Sequence, residues 1–515
     1  MQQAMHSLAM LALLYTEIYA VTTSEAIKLY PMPKDAVIGE TMQALGDSVH
    51  VRCDFPMTEA VKHGLAFLRD GLTQRLHLQV ADAKSGKWQI RLSKGDAPNE
   101  GFVIALRGGA TPTVEVRAND DAGLLYGIVT LLQLLEQCMR IHGRVCIPKP
   151  LRIRDYPTMQ TRMLPTMVYR KPTDRDRAWL DWLMRGHINA FWRSLDAPED
   201  ELSAIAKEAK RRGMRFYGLV GYRGLENALK RPPCPCNPND VAMIRRMFEK
   251  GARAGCDGFA FLFDDITTDA IKHPRTCPKC RERYGDLASV QNAFLEVMAQ
   301  VARKHGIRHL IMCPTPYCYG WRKRMGIRED YFRKLCNTEL LRDVLIFHCN
   351  FESRILDALF KDGLHNYIWW NNGLWVTSRF YDGYDVGFMH LWLSWFAVGK
   401  DEKRGLVPRD GVFDDFRRLS KYTRHVYFGT GDTCGIAIGG LYGWHPQFVC
   451  DHYEDMRAFV ASANSHQPKN SPHGRTKPKM RLRNCKRSCA MRSRRFRRPH
   501  RNSSPTVHSS ACAGR

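Results

Sequence analysis

Two adjacent aspartates, Asp264 and Asp265, have the type and spacing that most directly suggest chemistry in this chain. They follow the apolar run 259–263, which is typical of a buried strand, so two like charges stand at the C-terminal end of that strand. Two carboxyl groups held close together cannot both ionise cheaply, so one is expected to keep its proton while its neighbour stays charged. This division suits glycosidic cleavage, in which a carboxyl group protonates the leaving oxygen. A helix cap or a structural pair is the alternative interpretation.

Neighbouring carboxylates are poorly placed for the ordinary two-carboxylate mechanism, because its two groups flank the scissile bond from opposite sides. They fit substrate assistance better. In that mechanism the 2-acetamido oxygen of the sugar attacks the anomeric carbon, one aspartate orients the amide, and the other transfers the proton. We therefore expect catalysis without a cofactor.

Two tight cysteine pairs, Cys234 with Cys236 and Cys277 with Cys280, are the second chemical candidate among the 17 cysteines. Four thiolates on adjoining loops could hold a tetrahedral structural Zn²⁺. Such a site leaves no open position for water, so the metal would have a structural role. A Cys-x-Cys pair is unusual for zinc, and two disulfides or free thiols are the alternatives.

Strand and helix patterns alternate from Met163 onward, and the strands and helices that they predict position the two aspartates and the cysteine pairs. Seven segments are predicted strands, with an eighth expected at 386–389 or 435–439: 163–168, 188–193, 215–220, 258–263, 309–313, 344–348 and 367–370. This alternation predicts an α/β fold, a (β/α)8 TIM-type barrel over residues 158–463. The aspartates would then end the fourth strand, on the face where barrel enzymes place their active sites, and the cysteine pairs would follow the third and fourth strands.

A small α+β domain is predicted before the barrel, at residues 28–150. It contains strands at 102–106 and 113–117 and an amphipathic helix at 121–137, and residues 149–157 are expected to be a connector.

The two ends of the chain are expected to lie outside these domains. Residues 1–27 could be a signal peptide or leader, which would place the protein outside the cell or in the periplasm; otherwise it would be cytoplasmic. Residues 464–515 are predicted to be a disordered basic tail, with 15 Lys or Arg and no Asp or Glu from Lys469 onward. The tail could bind nucleic acid non-specifically, but no nucleic-acid partner and no membrane span are expected.

The stretch "GFAFLFDDI" resembles the catalytic strand of glycoside hydrolase family 84, the O-GlcNAcase and bacterial hyaluronidase-type β-N-acetylglucosaminidases, whose paired aspartates end this strand. The segments "CPTPYCYG" and "NYIWWNNG" are similar to further parts of that family, and "AGLLYGIVTLLQLL" resembles the helix of the α+β domain that precedes hexosaminidase and α-glucuronidase barrels. The resemblance covers roughly residues 28–445. It implies a hydrolase that removes β-linked N-acetylhexosamine from a glycan or glycoconjugate.

The resemblance also implies roles for individual residues. Asp264 would orient the acetamido group, and Asp265 would be the general acid and then the base. Five residues would contact the sugar: Tyr317, Asn371, Asn372, Trp370 and Tyr169. For Trp370, packing in the core is the alternative interpretation.

The sequence departs from the family around the sugar-binding shell. "MVYR" keeps only Tyr169 of the first-strand motif, "SLDAPED" lacks the expected lysine, and Asn371 stands where the family has an aspartate. Two alternatives therefore stay open: a hydrolase of a uronic-acid-containing or other glycan, with Arg193 or Arg223 binding the carboxylate, and a non-catalytic glycan-binding barrel.

Overall fold

The computed structural model describes residues 27, 29, 32–165, 168–264, 266, 277–371, 398–401, 405–408, 411–428, 440 and 442–451. They belong to one compact unit, Met1–Ala463, and a second unit, Asn464–Arg515, lies outside the described residues. The predicted leader, apart from Ile27, and the predicted basic tail therefore lie outside them as well.

A mixed sheet of seven strands forms the N-terminal part of the structure, in the order β1-β7-β5-β6-β4-β2-β3. The strands are β1 Asp35–Ala44, β2 Ser48–Cys53, β3 Gln79–Ala81, β4 Trp88–Lys94, β5 Phe102–Arg107, β6 Thr113–Ala118 and β7 Cys146–Asp155. The two predicted strands are confirmed as β5 and β6. The predicted connector is wrong over most of its length, because β7 pairs antiparallel with both β1 and β5.

Two helices, α1 Glu59–Asp70 and α2 Asp121–His142, cover this sheet. The Asp120 side chain caps α2 by accepting a hydrogen bond from the Gly123 N–H at 2.7 Å, and Gly143 ends the helix in a left-handed conformation. Helix α2 passes so close to the sheet that a Cβ at Gly127 would lie 2.7 Å from a Val116 methyl carbon. The helix is apolar and long enough to cross a membrane, but 83% of its apolar window is buried, as in the core helix of a folded domain.

A closed barrel of eight parallel strands follows, which confirms the predicted fold class. In barrel order the strands are β8 Thr161–Leu164, β9 Ala190–Ser194, β10 Arg215–Gly221, β11 Gly258–Leu262, β12 His309–Cys313, β13 Leu345–His348, β14 Tyr367–Asn371 and β17 His425–Phe428. A separate hairpin, β15 Val398–Asp401 with β16 Gly405–Pro408, lies between β14 and β17 in sequence.

Helices connect the barrel strands, and the longer ones pack on their outer surface. They are α3 Asp174–Arg185, α4 Glu199–Arg211, α5 Tyr222–Leu229, α6 Pro238–Arg253, α7 Pro278–Arg283, α8 Leu287–Lys304, α9 Trp321–Arg324, α10 Tyr331–Lys334, α11 Ser353–Lys361, α12 Val412–Leu419 and α13 Pro446–Asp451. Side chains at the N-termini determine where several of these helices begin. Thr173 and Asp176 form a capping box at α3, and the Asp286 carboxylate caps α8 by accepting a hydrogen bond from the Ser289 N–H at 2.9 Å.

The ends of the strand series differ from the prediction. The first strand is β8 rather than 163–168, because it begins at Thr161 and ends before Pro165, which has no N–H to donate to a ladder. The eighth strand is β17, which pairs with both β14 and β8. Both segments proposed for it, 386–389 and 435–439, lie outside the described residues.

Arg162 in β8 joins the barrel to the N-terminal sheet domain and is completely buried. Its guanidinium forms an ion pair with Glu100 at 2.5 Å and donates to the Met159 carbonyl at 2.7 Å, the His187 carbonyl at 2.5 Å and the Tyr126 hydroxyl at 3.2 Å. A buried cation with this many partners fixes the position of β8 relative to the preceding domain.

Candidate active site

Asp264 lies half-buried two residues after the end of β11, at the carboxyl end of the barrel strands. Within β11, Ala260 and Leu262 face the barrel interior, whereas the neighbouring phenylalanines pack outward against the helices. Side chains of a strand alternate in direction, so Asp264 continues the inward series and stands at the mouth of the barrel. Asp265, the second predicted catalytic residue, lies outside the described residues.

Tyr427 of β17 faces the same interior and is electrostatically coupled to Asp264. Burial raises the pKa of Tyr427 well above its usual range, and the negative charge of Asp264 raises it further. Its hydroxyl is therefore protonated at physiological pH. The sequence interpretation missed Tyr427 because its strand was not recognised.

Four aromatic side chains, Trp192, Phe347, Trp370 and Tyr427, form an aromatic floor beneath the barrel mouth. The ring centroids of Trp192 and Tyr427 lie 4.5 Å apart, those of Phe347 and Trp370 5.3 Å apart, and those of Trp370 and Tyr427 5.9 Å apart. Such a surface offers apolar ring faces to a ligand that enters from the mouth.

Tyr317, which the sequence analysis names as a sugar-binding residue, extends this surface. Its ring lies 5.4 Å from that of Trp370 and 4.8 Å from that of Trp321, and only 6% of the residue is exposed. Its carbonyl accepts a hydrogen bond from the Cys349 N–H at 2.9 Å, which ties the loop after β12 to the end of β13.

A chain of buried hydrogen bonds holds the strand end that carries Asp264. The Thr315 hydroxyl donates to the Phe263 carbonyl at 2.9 Å, and the Gln291 amide donates to Thr315 at 2.8 Å. The Tyr331 hydroxyl in turn donates to the Gln291 carbonyl oxygen. Sequence reasoning did not identify this chain, since its members lie on three separate segments.

Trp370 and Asn371 both end β14, whereas Asn372 lies outside the described residues. Asn371 is fully buried, and Trp370 is 7% exposed. Among the described residues, no hydrogen-bond partner is found for the buried indole Nε1 of Trp370. A buried donor beside the barrel mouth is available to a ligand acceptor.

Tyr169 lies at the rim, with 63% of the residue exposed. The Arg193 guanidinium lies 5.6 Å from the centroid of the Tyr169 ring and donates to its carbonyl at 3.4 Å. Arg193 also approaches Asp196 at 3.9 Å. Arg223, the second arginine considered for a carboxylate-bearing sugar, is exposed on α5.

The structure brings the two predicted cysteine pairs together. Cys234 Sγ lies 3.3 Å from Cys280 Sγ and 3.8 Å from Cys277 Sγ, and Cys280 Sγ lies 3.4 Å from Cys236 Sγ. Cys234 and Cys236 precede α6, and Cys277 and Cys280 stand at the start of α7, so the cluster joins the loops after the third and fourth barrel strands.

Two segments of the chain match known families. Residues 26–156 match the model described as glycosyl hydrolase family 20, domain 2, and residues 189–349 match the model described as beta-N-acetylglucosaminidase. The chain is also similar to Protein O-GlcNAcase of Rattus norvegicus and of Mus musculus, each 25% identical over 130 residues. This alignment covers 25% of the chain but only 13% of each relative.

Solved structures with the same architecture include three enzymes. CpGH84B has a TM-score of 0.54 at 16% identity, over 84% of this chain and 73% of its own. The GH20 exo-β-N-acetylglucosaminidase from Vibrio harveyi has a TM-score of 0.56 at 12% identity, over 86% and 78%. The chitobiase of Flavobacterium johnsoniae has a TM-score of 0.58 at 16% identity, over 86% and 72%. At these identities the likeness shows the shared fold.

Proposed function

We propose that the chain is a glycoside hydrolase that removes β-linked N-acetylhexosamine, with GlcNAc as the preferred sugar, from a glycan or glycoconjugate, and its matches to a family 20 domain and to a beta-N-acetylglucosaminidase model support this. The observation that carries the proposal is the position of Asp264, a half-buried carboxylate at the barrel mouth, coupled to Tyr427 above an aromatic floor. An anionic group beside apolar ring faces suits a sugar whose amide N–H needs an acceptor and whose methyl group needs an apolar surface.

The reaction would proceed in two steps without a cofactor. In the first, the acetamido oxygen attacks the anomeric carbon while the bond to the leaving oxygen breaks, and Asp265 gives its proton to that oxygen. Asp264 accepts the amide N–H and stabilises the positive charge that develops on the resulting oxazoline. In the second, Asp265 takes a proton from water, the water oxygen bonds to the anomeric carbon, and the acetamido oxygen leaves with retention of configuration.

The floor and its neighbours would position the sugar. Trp370 can donate its indole N–H to the bound sugar, and the Tyr317 ring lies beside the Trp370 ring. Thr315 supports the carbonyl directly before Asp264, so it acts as a positioning residue rather than by touching the substrate.

A uronic-acid-containing glycan is the second candidate substrate, because Arg193 places a guanidinium at the rim beside Tyr169. An aryl β-glucuronide and an aryl N-acetyl-β-glucosaminide offered to the same preparation separate the two. We expect turnover of the glucosaminide and its loss on replacement of Asp264, with Arg193→Gln nearly unaffected. Turnover of the glucuronide alone, abolished by Arg193→Gln, would favour the second candidate.

The acid role of Asp265 has its own test. Asp265→Ala should retain activity on an aryl glycoside with an acidic phenol and lose it on one with a poor leaving group, because a good leaving group needs little protonation. An equal loss on both substrates would contradict this assignment.

A further inference from the structure

The cysteine cluster defined by Cys234, Cys236, Cys277 and Cys280 lies outside the site described above. We propose that these four thiolates hold a structural zinc ion, which fastens the loop after the third barrel strand to the loop after the fourth. The inference does not depend on the proposed hydrolase activity, since it stands on the positions of the sulfur atoms.

The sulfur separations fit a shared metal. A tetrahedral zinc site with zinc–sulfur bonds of about 2.3 Å places its sulfurs about 3.8 Å apart. The three measured separations are 3.3, 3.4 and 3.8 Å, and each sulfur is linked to the cluster through Cys234 or Cys280. The ligand atoms of Cys234, Cys236 and Cys280 all lie within 4.8 Å of one another. A disulfide needs a separation of about 2.05 Å, and all four residues are free cysteines.

Hydrogen bonds within the protein also hold the loop that carries Cys234 and Cys236. The Cys234 N–H donates to the buried Asp240 carboxylate at 2.8 Å, and the Arg231 guanidinium donates to the same carboxylate at 2.7 and 2.6 Å. The Asn237 N–H donates to the Cys234 carbonyl at 3.0 Å and closes the turn that contains Cys236. Because the loop is already ordered by these bonds, the entropy cost of ordering it on metal binding is smaller.

The opposite loop forms a Cys-Pro-Lys-Cys turn. The Arg281 N–H donates to the Cys277 carbonyl at 2.9 Å, and Pro278 begins α7. Zinc with four thiolates carries a net charge of −2, and α7 carries three positive side chains, Lys279, Arg281 and Arg283, against one negative, Glu282. The local charge therefore favours an anionic metal centre.

The cluster connects to the barrel mouth through one aromatic contact. Tyr222 is buried, which is the main cause that raises its pKa, and Glu226, Cys234 and Cys280 raise it further. Its ring centroid lies 5.9 Å from that of Phe263, the residue before Asp264. A metal at the cluster would thus anchor both the wall behind Phe263 and the far end of the segment that begins at Asp264.

The test is the metal content of the full chain, purified under reducing conditions without chelators. Elemental analysis should find about one zinc per chain in the parent protein, and Cys234→Ser and Cys280→Ser should each lose it. The matched control is Cys53→Ser, because Cys53 is a free, partly buried thiol of β2 outside the cluster, and it should retain the zinc. Zinc retained by both cluster variants would overturn the proposal.

A second measurement keeps the proposal testable if the cluster variants do not fold. The parent protein, grown with cobalt in place of zinc, should show the thiolate-to-cobalt charge-transfer absorption and ligand-field bands of a tetrahedral four-sulfur site. Absence of these bands would contradict the proposal. So would a metal-free parent protein in which mass spectrometry finds the four cysteines paired as disulfides.

Discussion

Replacing Arg162 by Met should destabilise the protein at the junction between the barrel and the N-terminal sheet domain. Methionine fills a similar volume but removes the guanidinium, which is fully buried and bound to Glu100 and to two backbone carbonyls. The carboxylate of Glu100 would lose its nearer charge partner and keep Arg215 at 3.9 Å, and the carbonyls of Met159 and His187 would lose their donors.

Breaking a buried ion pair by removing one partner costs about 3–5 kcal/mol. The lower end applies here, because the Glu100 side chain is 19% exposed and keeps hydrogen bonds from Asn189 at 2.7 and 3.1 Å. For cooperative unfolding of a unit of 463 residues, the entropy of unfolding is about 1 kcal/mol per kelvin. A loss of about 3 kcal/mol should therefore lower Tm by about 3 °C.

Differential scanning calorimetry of the parent protein and its variants measures this shift. The matched control is Arg91→Met, which removes an arginine of β4 whose bond to Asp54, at 2.8 Å, is exposed to solvent, so its Tm should change much less. Equal Tm values for Arg162→Met and Arg91→Met would refute the reasoning that the buried network stabilises the junction.

Three further predictions concern the site and its surroundings. Thr315→Val should lower kcat for the proposed substrate about fivefold, as expected for losing roughly 1 kcal/mol of support for the strand end. Thr338→Val, which alters a hydroxyl with no partner among the described residues, should leave kcat unchanged. Equal kcat values would contradict the positioning role. Trp370→Phe should raise KM for that substrate and leave Tm nearly unchanged, because the aromatic face is kept and only the indole donor is lost. An unchanged KM would argue against contact with the sugar. Burial lowers the pKa of His348 from 6.5 to about 3, so the unfolded state binds a proton that the folded state does not, and stability is lost as pH falls below about 6.5. His348→Asn should remove about 2 kcal/mol of the loss in unfolding free energy between pH 7 and pH 5, measured by chemical denaturation. An unchanged pH dependence of the unfolding free energy would contradict this.

The barrel and the position of Asp264 could be predicted because both depend on local patterns. The run that becomes β11 is continuously apolar, and its length places Asp264 at the carboxyl end of a buried parallel strand. The cysteine pairs were predictable for the same reason, since the order of strands fixes which loops share a face.

The eighth strand was not predictable from its own sequence. β17 is only four residues long. Val426 lies within it, and Thr161 contacts it from the paired strand β8, which is more than 260 residues away in the chain. Its stability comes from that pairing and from Tyr427 packing on the aromatic floor, neither of which leaves a local signal.

The Arg162 network has the same origin. A charged residue inside a short apolar segment argues against a buried strand, and here it is tolerated because Glu100, which lies 62 residues earlier, reaches it from the sheet domain. Thr315 and Gln291 likewise gain their roles from a contact between β11, β12 and α8 that spacing along the chain does not reveal.

The central claim is that the acetamido group of the substrate takes part in the chemistry at Asp264. The most direct measurement compares turnover of an aryl N-acetyl-β-D-glucosaminide with that of the matching aryl β-D-glucoside, for the parent protein and for Asp264→Asn. We predict that the parent protein hydrolyses the glucosaminide only and that Asp264→Asn loses most of this activity. Hydrolysis of both glycosides at similar rates, or full activity of Asp264→Asn, would contradict the claim.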